Sequence, residues 1–160
     1  MHFAAWLLSM TAALSATVSG NALPFSLKHV FSAQITIIPS LSPIYIPGGV
    51  KAVEQIAGGG ITGDAVNGTI ISGFAYPSLY NNKTLDVPSI VLFGRTDDNQ
   101  TFYVSESGVG TMAAQITQIN LVINGTKYQE INDGFLLASV VPTNATSIVV
   151  EAYLVSNCAS

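Results

Sequence analysis

Charge, cysteine and histidine are all scarce in this chain of 160 residues, and each scarcity removes a class of function. Only 9% of the residues are charged, and the five basic ones are scattered, so no basic stripe exists to neutralise phosphates. Nucleic acid is therefore not an expected partner. The single cysteine, Cys158, has no partner for an intramolecular disulfide, which leaves packing and hydrogen bonds to hold the fold. Apart from His2, the one histidine is His29, so a multi-histidine metal centre is excluded and any Ser-His-Asp arrangement has to use His29. No metal or other cofactor is expected.

What the chain does have is apolar surface to bury, since 49% of its residues are hydrophobic. That suffices for the core of one domain. The first residues, MHFAAWLLSMTAALSATVSG, carry an apolar run of about a dozen followed by small residues, the layout of a secretory signal peptide over 1–20. The run is too short to span a bilayer, and cleavage after Gly20 or after Ser15 satisfies the small-residue rule. A retained amphipathic anchor is the other reading. Five glycosylation sequons begin at Asn67, Asn82, Asn99, Asn124 and Asn144, which points independently to export and to a secreted, extracellular glycoprotein. The tail after Glu151 lacks the hydrophobic end of a lipid-anchor signal, so no membrane partner is expected.

Over residues 21–160, runs rich in Val, Ile, Thr, Phe and Tyr recur between turn clusters, and no window of ten or more keeps a helical period. The expected class is all-β. Strands are expected at 25–38, 50–56, 65–75, 85–95, 101–106, 113–123, 135–141 and 147–155, with a tight hairpin at Thr96-Asp97-Asp98-Asn99-Gln100. About eight antiparallel strands make a sandwich or an up-and-down barrel, and a barrel is preferred because closure removes exposed edges. Period two then sets the facing. If Asn67 faces solvent, Ile70, Ser72, Phe74 and Tyr76 face inward, and if Asn124 does, Gln115, Thr117, Ile119, Leu121 and Ile123 do.

Gly58, Gly60 and Gly63 fall at the spacing of a dinucleotide-binding G-x-G-x-x-G. That motif needs a helix opening at its third glycine. Here Asp64-Ala-Val-Asn-Gly-Thr-Ile-Ile follows, β-branched and glycine-broken, so the glycines read as a turn and as bends in a strand. His29 falls on the alternating apolar face Phe25, Leu27, Phe31, Ala33, Ile35, Ile37, which marks it as a buried hydrogen-bonded ring or as an acid-base group in a cavity. Tyr76 and Tyr103 are the candidate hydroxyl donors, preferred over Tyr45, Tyr80, Tyr128 and Tyr153, and Arg95 is the candidate anion stabiliser. Glu54, Asp64, Asp86, Glu106, Asp133 and Glu151 lie in or beside strands, where burial of any one would suit it to proton transfer, but no spacing pairs two of them.

The run Ala57-Gly-Gly-Gly-Ile-Thr-Gly-Asp-Ala-Val-Asn-Gly-Thr-Ile-Ile-Ser-Gly-Phe-Ala, then Gly94-Arg-Thr-Asp-Asp-Asn-Gln-Thr-Phe-Tyr-Val and the Gly108-Val-Gly110 turn, resembles the family called domain of unknown function 3237. The resemblance covers about residues 27 to 155 and implies a calycin-like (lipocalin-like) antiparallel β-barrel, and secreted or cluster-encoded fungal-type chains look similar to this one. Family members often carry Asp where this chain has Tyr76, and Gly where it has Asn99.

The functional expectation is a barrel around a small hydrophobic metabolite, acting as a cofactor-free isomerase or cyclase of secondary metabolism with His29, Tyr76, Tyr103 and Arg95 at the ligand. The alternatives are a non-catalytic carrier and a glycosylated surface or structural protein; oligomeric state stays open. Secreted from a eukaryotic cell, the chain is expected to lose about its first 20 residues and to drop in mass on endoglycosidase treatment. An intact, unmodified mass would overturn both.

Overall fold

Alternation of β-branched and aromatic residues with polar ones carries most of the chain into strands. The computed structural model describes residues 25–39 and 41–157; the expected signal peptide at 1–20 and Cys158 lie outside them. The twelve strands are β1 (Phe25–Pro39), β2 (Ile44–Ile46), β3 (Gly49–Lys51), β4 (Glu54–Thr62), β5 (Gly68–Ala75), β6 (Ser78–Tyr80), β7 (Leu85–Val87), β8 (Ser89–Thr96), β9 (Thr101–Gly110), β10 (Gln115–Ile123), β11 (Phe135–Asn144) and β12 (Ser147–Asn157). A 3-10 turn, Thr126–Tyr128, leads into the single short helix among the described residues, α1 (Gln129–Asn132).

Eight strands close a ring in the order β1, β4, β5, β8, β9, β10, β11, β12, with β12 returning to β1, and every pairing is antiparallel. The expected eight-stranded barrel forms. The other four strands make a side ribbon in the order β7, β6, β3, β2, joined to β9 where Asp86 pairs with Gly110. Local chemistry explains the departures from the expected strands. Pro88 has no N–H to give a ladder and divides 85–95 into β7 and β8. The 50–56 strand divides as well, its second part running on through the glycines to Thr62, where the bare backbone of Gly59 lets β1 come close: a Cβ there would lie 2.2 Å from the Gln34 carbonyl oxygen. Gly108 and Gly110 belong to β9, and the turn follows them, held by Thr111 Oγ1, which accepts from the amides of Ala113 and Ala114.

On β10 the expected facing holds without interruption, with Gln115, Thr117, Ile119, Leu121 and Ile123 buried and the residues between them exposed. Two bulges overturn it elsewhere. On β1 the register slips between His29 and Phe31, so Val30 and Phe31 are both buried and everything before them changes sides: Leu27 is half exposed and His29 stands outside. On β5 the slip lies between Ile70 and Ser72, so Gly73 and Ala75 face in, Phe74 faces out, and the Tyr76 ring stacks on Phe74 with centroids 6.2 Å apart. One extra residue in a strand reverses the facing of all that follow, which a period-two reading cannot see.

The barrel has two unlike ends. Where β8 turns into β9, the expected hairpin forms, with Asn99 at φ 63, and the chain after β10 folds across the opening. Tyr128 and Ile131 are buried there; Asn132 grips the Ile123 backbone through both its amide oxygen and nitrogen at 2.8 Å. Tyr128 donates its hydroxyl to Asp98 at 2.7 Å, and bonds from Thr96, Tyr128 and Lys127 hold the Asp98 carboxyl down at about 2. A depressed carboxyl stabilises the fold above its unfolded value of 3.8 and ceases to as pH falls toward 2. Asp98→Ala is accordingly expected to lower Tm by a few degrees at pH 7 and to leave a smaller acid-induced fall between pH 4 and 2 than the parent shows. An unchanged acid profile would remove the clasp from the account.

Candidate functional site

The opposite end is open. Strands β4, β8, β10 and β12 begin there and β1, β5, β9 and β11 end there, around a cavity of about 200 Å³. Its wall is mainly apolar, with Ile37, Ala75, Pro77, Leu79, Ile90 and Ile148 among its residues, and the polar groups on it are few: Glu54, Asp86, Ser89, Gln115 and Asn144. No basic side chain lines it among the described residues.

Asp86 sits at the centre of these polar groups. The short strand β7 lays it over the rim, 5% exposed, and Gln115 Nε2 donates to its Oδ2 at 2.8 Å. Its other oxygen, Oδ1, is buried and has no hydrogen-bond partner among the described residues. A buried polar atom without a partner costs about 1–3 kcal/mol, and such atoms are uncommon enough to demand a reason. The approach of three strands at this point depends on Gly110, which pairs with Asp86; a Cβ on it would lie 2.5 Å from Gln115 Cα and drive Gln115 away.

Desolvation raises the Asp86 carboxyl above its ordinary 3.8. Glu54, half-buried at the start of β4, is raised above 4.5 by desolvation first and by the neighbouring Asp86 charge second. Two carboxyls of raised affinity for protons therefore share one small apolar mouth, and the Asp86 charge favours the proton on Glu54. One layer deeper, Glu106 on β9 is buried against a void of about 20 Å³. Thr117 donates to it at 2.5 Å, yet desolvation outweighs that bond and lifts its carboxyl from 4.5 to about 6. The rest of the interior is filled by packed side chains such as Phe31, Ile35, Ile61, Ile70 and Phe102.

The residues expected at a ligand are not brought together. His29 lies on the outer face, its Nε2 2.9 Å from Glu151 Oε2, with Ser32 donating to the same oxygen at 2.6 Å; the bulge beside Val30 put it there. The Ser32 bond first, and His29 second, hold Glu151 below its ordinary value. Arg95 and Tyr103 are outside at the clasped end, Arg95 donating to Asn99 at 2.7 Å and Tyr103 43% exposed. At about 3.3 Å per residue, β8 separates Arg95 from the mouth by roughly 20 Å. Tyr76 reaches the rim by its backbone alone: its amide donates to Ser89 at 2.7 Å while its ring lies outside. Asp86, Glu54 and Glu106 were among six equivalent carboxylates in the sequence, and Gln115 was on the inner face. What singled them out, convergence at one rim, has no counterpart in spacing along the chain.

Residues 25–121 match the model of the family described as protein of unknown function (DUF3237), more than half of the chain. The chain belongs to this family. Solved structures similar to this DUF3237 barrel include a conserved protein of unknown function from Rhodopseudomonas palustris, with a TM-score of 0.74 at 17% identity over 84% of this chain and 100% of that one. A β-barrel like protein from Acinetobacter baumannii gives 0.72 at 15% identity, over 85% and 99%. An enzyme from Penicillium herquei gives 0.68 at 21%, over 87% and 100%. At such identities the likeness is one of fold. No curated protein sequence matches the chain.

The buried carboxyl gives the DUF3237 barrel a measurable signature. Because Glu106 binds its proton more tightly folded than unfolded, the native state loses about 2 kcal/mol as pH rises from 4.5 through 6. Glu106→Gln is expected to remove this loss, so that between pH 4.5 and 7 its Tm declines by about 5 °C less than the parent's. Parallel declines in a melting series would show that Glu106 is not the titrating group.

Proposed function

We propose that this DUF3237 member is a secreted glycoprotein whose barrel mouth binds a small hydrophobic metabolite and rearranges it without a cofactor, as an isomerase or cyclase. The observation that carries the reading is the unpartnered, buried Asp86 oxygen at the edge of an apolar cavity. A pocket that only filled space would gain stability by replacing that carboxyl with an apolar group. The cavity is larger than the roughly 150 Å³ that accepts benzene, so it suits a ligand of one or two rings. A similar structure described as an enzyme, that from Penicillium herquei, lends support at the level of fold.

In this reading Glu54, whose hold on its proton the Asp86 charge strengthens, delivers that proton to one atom of the ligand while the Asp86 carboxylate removes a proton from another. The ligand's composition is unchanged, and the proton returns from Asp86 to Glu54 between turnovers. Gln115 holds Asp86 in place, and the apolar wall excludes the water that would level both groups. His29, Tyr103 and Arg95 serve the outer surface in this assignment. The glycoprotein part rests on the sequons, whose five asparagines are all exposed.

The test is incubation with candidate aromatic and terpenoid metabolites, with mass spectrometry and chiral chromatography of the products. Turnover is expected to give an isomer of identical mass, to fall at least 100-fold in Asp86→Asn, and to survive in His29→Ala within about threefold. A ligand that co-purifies and is returned unchanged would make the protein a carrier. Loss of turnover in His29→Ala with the fold intact would return the chemistry to the outer face.

A further inference from the structure

One of the five sequons stands at the mouth itself. Asn144, the last residue of β11, lines the cavity together with Pro142, Ala145 and Ile148 of the same hairpin. Asn67, Asn99 and Asn124 lie at the clasped end and Asn82 in the turn between β6 and β7, so of the five asparagines Asn144 alone is on the cavity wall. On the reading of the protein as a glycoprotein with its ligand site at this mouth, we infer that a glycan on Asn144 is a gate. It stands across the opening and slows both entry and exit of the ligand, while the affinity stays the same.

The turn between β11 and β12 holds such a group in one place. Asn144 Oδ1 accepts from the Thr146 amide at 2.9 Å and from Thr146 Oγ1 at 3.1 Å, which pins the side-chain amide by its oxygen. The Thr146 carbonyl in turn accepts from the Ile37 amide at 2.9 Å, so the turn is fastened to β1 beside another residue of the cavity wall. Asn144 is exposed, and its Nδ2, the atom that carries the sugar, has no hydrogen-bond partner among the described residues. At the clasped end the same atom is engaged in two of the sequons: Asn67 Nδ2 donates to the Gly63 carbonyl at 2.7 Å and Asn124 Nδ2 to Gln100 Oε1 at 3.0 Å.

A sugar chain at this position stays over the cavity and does not fill it. Its hydroxyls would have to give up water to enter a mainly apolar pocket, and burying them without partners is unfavourable. With the far end clasped and the interior packed, a ligand has this opening to use. The glycan meets the opening alike whether the cavity is empty or filled. It therefore adds to the barrier in both directions and nothing to the difference between the free and bound states, which is the behaviour of a lid whose motion sets a rate.

The test uses protein secreted from a eukaryotic host and the probe 6-acetyl-2-(dimethylamino)naphthalene, an uncharged two-ring dye that brightens in apolar surroundings, followed by stopped-flow fluorescence. The parent is expected to bind and release the dye about three- to tenfold more slowly than Asn144→Gln, with Kd values that agree within about twofold. Thr101→Val, which removes the Asn99 sequon at the clasped end, is expected to keep the parent's rates. Made in bacteria without sugars, the parent and Asn144→Gln are expected to share the faster rates. Equal rates for the two secreted proteins, a rate difference that persists without sugars, or a change in Kd as large as the change in rate would each overturn the gate. So would an unmodified Asn144 peptide in the mass spectrum of the secreted protein, although sugars on other sequons would leave the glycoprotein reading standing. Failure of every form to bind the dye would remove the ligand site and the gate with it.

Discussion

Pairing of β9 with β10 closes the sheet, and almost every other property of the molecule depends on that closure. Along nine residues, Phe102 to Gly110 opposite Gln115 to Ile123, it turns a long meander into a ring with no free edge in the barrel wall. Closure also gives the inner face a fixed, small volume. Side chains of ordinary size fill it over most of its length, so space for a ligand can survive only where the ring opens to solvent.

The two ends answer the same problem differently. At one, the segment after β10 brings Tyr128 and Ile131 over the core and fastens them through Asp98 and Asn132. At the other, the side ribbon stands beside the opening and contributes Asp86 to its rim, with Gly110 making room for it against Gln115. An apolar cavity with two proton-hungry carboxyls is the chemical outcome. Asp86 and Gln115 are kept from solvent by the same strands that position them, so the burial of Asp86, its raised proton affinity and its location share one cause.

Much of the fold was legible in local pattern. The alternation of β10 survived folding residue by residue, and the Asp and Asn residues of 96–100 made the turn their chemistry favours. The site was less legible. His29 appeared to belong with Phe31, Ala33 and Ile35, and Tyr76 with Ile70 and Ser72, until a single extra residue in each strand reversed them. A bulge is decided by what the neighbouring strand can accept, Ala152 beside Phe31 in one case and Gly94 beside Ile70 in the other, and neither partner is near in sequence.

Composition and periodicity by themselves determined an all-β chain, long enough in strands to close a barrel. Those conclusions needed only the count of residue types and the period of two, which are local quantities. Which carboxyl would matter was decided by tertiary structure alone. Asp86 and Gln115 lie 29 residues apart, and Glu54 is further still from both. Only the wrapping of the sheet, which carries β7 across β9 to the start of β10, buries Asp86 to 5% exposure and turns an ordinary aspartate into the group on which the proposed chemistry depends.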